Sequence, residues 1–288
     1  MIIKMQLKFS KIFNLAFCLT LLLSINLLGQ ISWQRDETAP DLPLQLFHST
    51  HAIILPTAET LQRGDFEFEV SHRFIPTIHD GPEELYGFDG PANIKLGLSY
   101  GLSDDFLLGV SRSNVNDNLE LIAKFRAIEY DNELIPIVLG LRGAAVWNTD
   151  PTGRTAKDNR NFQYYAQLIV NTMIEKKLGI GVVPSFLYNS DIYYTSKKST
   201  FTLGLNLQYY LSSWFSLLAE WNPTIAGLSN KYDSFSFGFE LETGGHFFKI
   251  IFTNNTLLNT SQYLGGSADD IVAKNYRVGF NITRLLKF

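Results

Sequence analysis

From Asp65 onward, apolar and polar residues alternate with a period of two, the spacing of a strand with one greasy and one wet face. Phe66, Phe68, Val70 and Phe74 share one face, and Glu67, Glu69, Ser71 and Arg73 the other. The same alternation returns near residues 93–100, 106–111, 119–126, 137–147 and 162–171. It continues near 180–189, 201–209, 215–222, 235–242 and 247–253. The last run covers 274–288, with Tyr276, Val278, Phe280, Ile282, Leu286 and Phe288 in one register and Arg284 as its single break. The pattern predicts about twelve strands.

The connections between these runs alternate in length. Those at 75–91, 149–160, 191–199, 226–233 and 256–273 are long, and those near Ser103-Asp104, Lys176-Lys177, Ser212-Ser213 and Gly244-Gly245 are tight. The pair at 114–118 and 131–134 is comparable. Membrane barrels have short turns at one end and longer loops at the other. The expected fold is therefore all-β, a transmembrane antiparallel β-barrel of about 12 strands over residues 65–288. Its last strand has the form of an insertion signal, carried by Phe280, Ile282, Leu286 and Phe288, which would engage the barrel-insertion machinery. Aromatic residues near strand ends, such as Tyr130, Trp214, Trp147 and Trp221, fit interfacial girdles in outer-membrane lipid. A soluble sandwich burying the same Phe-rich faces is the competing architecture.

Composition sharpens this. Aromatics reach 14% while charged residues are 18%. No run after residue 30 approaches the roughly 18 apolar residues of a spanning helix. Residues 1–29 form an expected signal peptide, with Lys4, Lys8 and Lys11 before an apolar stretch and a cut before Gln30. Cys18, the only cysteine, lies inside it, which excludes disulfides and thiol chemistry from the mature chain. Loss of those three lysines from 24 basic residues leaves 21 against 28 acidic ones, a net of −7, which argues against a nucleic-acid partner. Residues 30–64 read as irregular, with a turn-rich acidic stretch at 36–43 and a short extended piece near 46–55. They belong either in the periplasm or in the barrel lumen.

A set of short motifs carries a family resemblance. Thr57 to Gly64, His72-Arg73-Phe74, Gly87-Phe88-Asp89, Leu96 to Gly101 and Arg112 together resemble an uncharacterised outer-membrane β-barrel family of Bacteroidetes-type bacteria, a domain of unknown function. The resemblance implies a Gram-negative outer membrane and a barrel fold. It implies no chemistry.

The candidate site is the lumen. With apolar residues facing lipid, the inward charges are Glu67, Glu69, Arg73, Lys95, Glu120, Lys124, Arg126, Arg142, Glu220, Glu240 and Glu242. Basic residues concentrate on the second, fourth and fifth strands and acidic ones on the ninth, tenth and first. Opposed arcs of this kind would select small hydrophilic solutes in a narrow channel. Alternatively they pair with one another or with residues 30–64, and the barrel is a closed envelope scaffold or partner-binding protein. A lipid hydrolase is a third reading. His48 and His51 flank Ser49, but no His–x–Ser pair falls on a strand, and His72 and His246 stand alone. No cofactor and no metal site is expected.

Overall fold

The structure is a computed structural model that describes residues 44–194, 196–228 and 231–287, apart from the side chain of residue 273. The expected signal peptide, the whole acidic stretch 36–43, and Phe288 lie outside the described residues. Among the described residues, thirteen strands form one antiparallel sheet. They are β1 (Phe66–Phe74), β2 (Ala92–Ser103), β3 (Phe106–Ser113), β4 (Asn118–Tyr130), β5 (Ile137–Asn148), β6 (Phe162–Ile174) and β7 (Leu178–Tyr188). Then come β8 (Ser199–Tyr210), β9 (Phe215–Asn222), β10 (Thr224–Gly227), β11 (Ser234–Glu242), β12 (His246–Thr253) and β13 (Arg277–Leu286).

The twelve expected runs each form a strand. The extra element is β10, which follows β9 across Pro223 and stays on β8. Proline cannot donate to the ladder, so one crossing strand is read as two. The sheet closes because β1 pairs with β13, from Phe66 opposite Leu286 to Arg73 opposite Gly279, while β9 pairs with both β8 and β11. Closure removes both sheet edges, the condition for crossing lipid with strands.

The strands present an apolar face outward. Leu96, Leu121, Leu141, Phe201, Leu207 and Phe237 are exposed there. Arg112 stays on this outer face near the loop end, where it pairs with Asp117 at 2.5 Å. The inward register is polar and buried. All tight turns share one end of the barrel with the start of β1 and the end of β13; all long loops share the other.

The core lies inside the barrel, built by one segment before β1 and one between β12 and β13. Residues 44–64 form a hairpin that enters from the turn end. His51 bridges Pro56, Thr57 N–H donates to Thr50 O at 3.1 Å, and the chain reverses at Ala52–Leu55. Pro56, which has no N–H to offer, follows this reversal. Its limbs pack Leu46, Phe47 and Ala58 on Val138, Ile169 and Val183 of the wall. Its tip packs Ile53, Ile54 and Leu55 on Leu218 and Ile251. From the loop end, residues 254–267 fold inward and carry a short helix, α1 (Thr260–Leu264). Tyr263 of α1 completes the cluster around the hairpin tip, so the two segments meet inside the barrel. Each fully buried Leu, Ile or Phe contributes about 2 kcal/mol.

Candidate functional site

The site is the inner wall and what it holds. Parity on the strands sends every second residue inward, and the sequence supplies charge or amide at those positions. Glu220 on β9 points at the hairpin tip and accepts three consecutive backbone amides, from Ile53 at 2.5 Å, Ile54 at 2.9 Å and Leu55 at 2.9 Å. The reversal at 52–55 turns those N–H groups to one side, and the carboxylate satisfies them together.

Lys249 on β12 is the matching cation. Its side chain is fully buried, and its ammonium donates to Ser49 Oγ at 2.8 Å, His51 O at 2.7 Å and Ala52 O at 2.6 Å. It also pairs with Glu240 on β11 at 3.3 Å. Glu240 in turn bonds His48 Nδ1 at 2.9 Å and accepts from Gln208 at 2.7 Å. Lys124 on β4 donates to Thr50 O at 3.0 Å and Thr57 O at 3.3 Å. Arg126, near the turn end, ties Glu59 and Glu129, and donates to Leu44 O. Glu59 is itself bonded to the backbone N–H groups of Leu46 and Phe47, which closes the base of the hairpin.

The other expected lumenal residues take the following places. Glu67 accepts from Thr50 Oγ1 at 2.7 Å. Glu69 pairs with Lys95 at 2.8 Å and accepts from Ser71. Arg73 bonds Asn281 of β13 at 2.8 Å across the seam. Glu120 accepts from Ser261 N–H of α1 at 2.7 Å, and Arg142 donates to Thr260 Oγ1 at 3.0 Å. Both therefore hold the inward-folded loop rather than the hairpin. Glu242 sits at the turn end, where it accepts from Gly245 N–H. On the lipid side of β13, Phe280, Ile282 and Leu286 are half-buried.

A cavity of about 50 Å³ remains between hairpin and wall, bordered by His51, Glu67, Glu69, Lys95 and Lys124. Thr50 gives its hydroxyl proton to Glu67, so its oxygen accepts from His51 Nδ1 at 3.2 Å. The imidazole then turns a bare Nε2 toward Glu69, 3.8 Å away, too far for a direct hydrogen bond. Space and polarity together suit a bridging water.

Sequence reasoning missed two things. Lys249 was visible on the polar register of its strand, yet it falls between the acidic strands and breaks the expected arcs of opposite charge. The buried amides Asn171, Asn206, Gln208 and Asn281 were equally inward by parity, but neutral residues carry no charge signal. Among the described residues no histidine ring is hydrogen-bonded to a serine hydroxyl. Ser49 Oγ donates to His51 O and accepts from Lys249. His72 stacks on Phe280, and His246 on Phe248.

A closed antiparallel barrel with an apolar outer belt and a polar interior is a membrane β-barrel, and its place is the Gram-negative outer membrane. The chain belongs to the DUF5777 family, described as a membrane bound beta barrel domain, whose model matches residues 47–286. The matched span includes most of the hairpin. No curated protein matches the chain. Among solved structures it is similar to the NanC porin, with TM-score 0.47 and 9% identity over 77% of this chain and 100% of that one. It is similar also to the KdgM porin, at 0.44 and 13% over 78% and 99%. An outer membrane channel of Pseudomonas putida F1 matches at 0.47 and 14% over 80% and 98%.

Proposed function

We propose that this barrel is a pathway for small hydrophilic solutes, held shut at rest by its own hairpin 44–64. The observation that supports it is the charge kept on the wall beneath the hairpin. Buried ion pairs are commonly replaced by apolar residues at no loss of stability. A permanent plug would be held as well by a greasy wall. Glu220, Glu240, Lys249 and Lys124 instead suit a lumen that fills with water when the hairpin withdraws. The role is non-catalytic. Phe280, Ile282 and Leu286 of β13 serve, in the same proposal, as the face presented to the insertion machinery.

The test is to lock the hairpin. A Cβ placed on Gly140 would lie 3.6 Å from the Cβ of Ala58, a separation that suits a disulfide. The doubly substituted Ala58→Cys/Gly140→Cys protein should pass no current in a planar bilayer when oxidised. After reduction it should show discrete steps, with ion preference altered by Glu240→Gln. A well-inserted barrel that is silent in both states would sink the channel and leave the second reading, a closed envelope scaffold. That reading is favoured by the dense hydrogen bonding of the hairpin.

A further inference from the structure

We infer that the open lumen binds short peptides and reads them through their backbone. This rests on the hairpin-withdrawal reading and names the class of solute. The hairpin is itself a peptide seated in the lumen, so its contacts show what the wall recognises. Those contacts go largely to main-chain atoms. Glu220 takes the N–H groups of Ile53, Ile54 and Leu55, and Asn171 Oδ1 takes that of Ala58 at 2.5 Å. Asn281 donates to Ile53 O at 2.8 Å. Lys249 donates to His51 O and Ala52 O, and Lys124 to Thr50 O and Thr57 O.

The five residues come from β9, β6, β13, β12 and β4, so the reading surface surrounds the lumen. Acceptors meet N–H groups and donors meet carbonyls. Once the hairpin leaves, each of these groups loses its hairpin partner, while Lys249 keeps Glu240 and Asn281 keeps Arg73. A peptide supplies the same separated donors and acceptors along its backbone. A sugar hydroxyl, by contrast, is donor and acceptor at one atom. The wall also accommodates apolar side chains: Leu218 and Ile251 face the tip. At Gly204 the wall is hollowed, since a Cβ there would lie 2.8 Å from the Leu55 methyls. The preferred occupant is a short, uncharged peptide with aliphatic side chains.

The experiment uses the full chain carrying Ala52→Cys, a tip position that is buried while the hairpin is seated. Ala58→Cys gives the same readout from the return limb if the first variant fails to insert. The probe is a blocked hexapeptide of alanine, valine and leucine. Its N-methylated counterpart and a neutral trisaccharide are the controls. A ligand that occupies the vacated lumen draws the population toward the withdrawn state. Labelling of the cysteine by a thiol reagent should therefore speed up at least about threefold with the peptide and not with either control. Glu220→Gln should weaken the peptide's effect about tenfold, in line with loss of a charge-assisted bond. No acceleration by the peptide, or equal acceleration by the N-methylated form or the sugar, overturns the inference. Bilayer recordings with the same ligands separate the two claims. Current without any peptide effect leaves the channel and removes the peptide; peptide-driven labelling without current does the reverse.

Discussion

Lys249 shows how much one buried side chain decides. Its ammonium is shared among three hairpin oxygens and Glu240, with neither side chain exposed. Removing one partner of a buried pair costs about 3–5 kcal/mol because the other charge is stranded. Lys249→Met should lower the unfolding midpoint in urea accordingly, as seen by the heat-modifiable gel shift. Lys249→Met/Glu240→Leu should recover much of that loss. His51 sets the response to pH. Burial holds its pKa well below the ordinary histidine value; Glu69 raises it, and Lys249, Lys95 and Lys124 lower it further. The withdrawn hairpin, with a solvated imidazole, binds the proton more readily. The part of docking that His51 contributes is therefore fully present above about pH 7 and is lost as pH falls through about 6.5. Cysteine labelling at the tip should be faster at acid pH, and His51→Gln should flatten that dependence. Glu59 works in the opposite sense, since burial holds its pKa above the usual carboxylate range.

The strands were legible because each carries its own two-faced pattern, set by side-chain parity. The tight turns were legible from glycine, serine and lysine pairs. The hairpin was not. Its fold is fixed by backbone groups meeting side chains from 67 to 228 residues away, and backbone groups leave no mark in a sequence. The inward register could be read for Glu220 and Glu240, but not what they hold. One trace was present: glycines recur on the polar faces of β2, β5, β7 and β8, where small residues admit the hairpin. A Cβ at Gly101 would meet the backbone oxygen of Gln62 at 2.2 Å, whereas one at Gly179 would press on the ring edge of Phe47 at 3.0 Å and meet backbone, Leu46 O, only at an ordinary 3.5 Å. Gly101→Ala should displace the return limb and cost about 1–3 kcal/mol. Gly179→Ala should cost distinctly less, because a side chain yields more easily than backbone. Urea titrations of the two variants make the comparison.

For the molecule as a whole, the ordinary placement of polarity is reversed. The apolar surface faces lipid, and the interior joins charge, amides and three apolar clusters. A charge introduced on the belt is then more damaging than one removed from a loop. Leu121 on β4 is 63% exposed on the lipid side. Leu121→Arg should destabilise the barrel in vesicles by about 2–4 kcal/mol if the position lies near the midplane, measured against the parent in urea.

The seam between β1 and β13 bears on the order of events during assembly. It joins strands about two hundred residues apart, a pairing slow to form because the intervening chain must first be organised. At this junction Asn281 accepts from Arg73 of β1 and donates to Ile53 of the hairpin tip. The zipper that completes the cylinder thus carries a tooth from the hairpin. A hairpin in place before the ends meet would serve as a mandrel on which the last strand is gauged. The segment that fills the finished barrel would also time its construction.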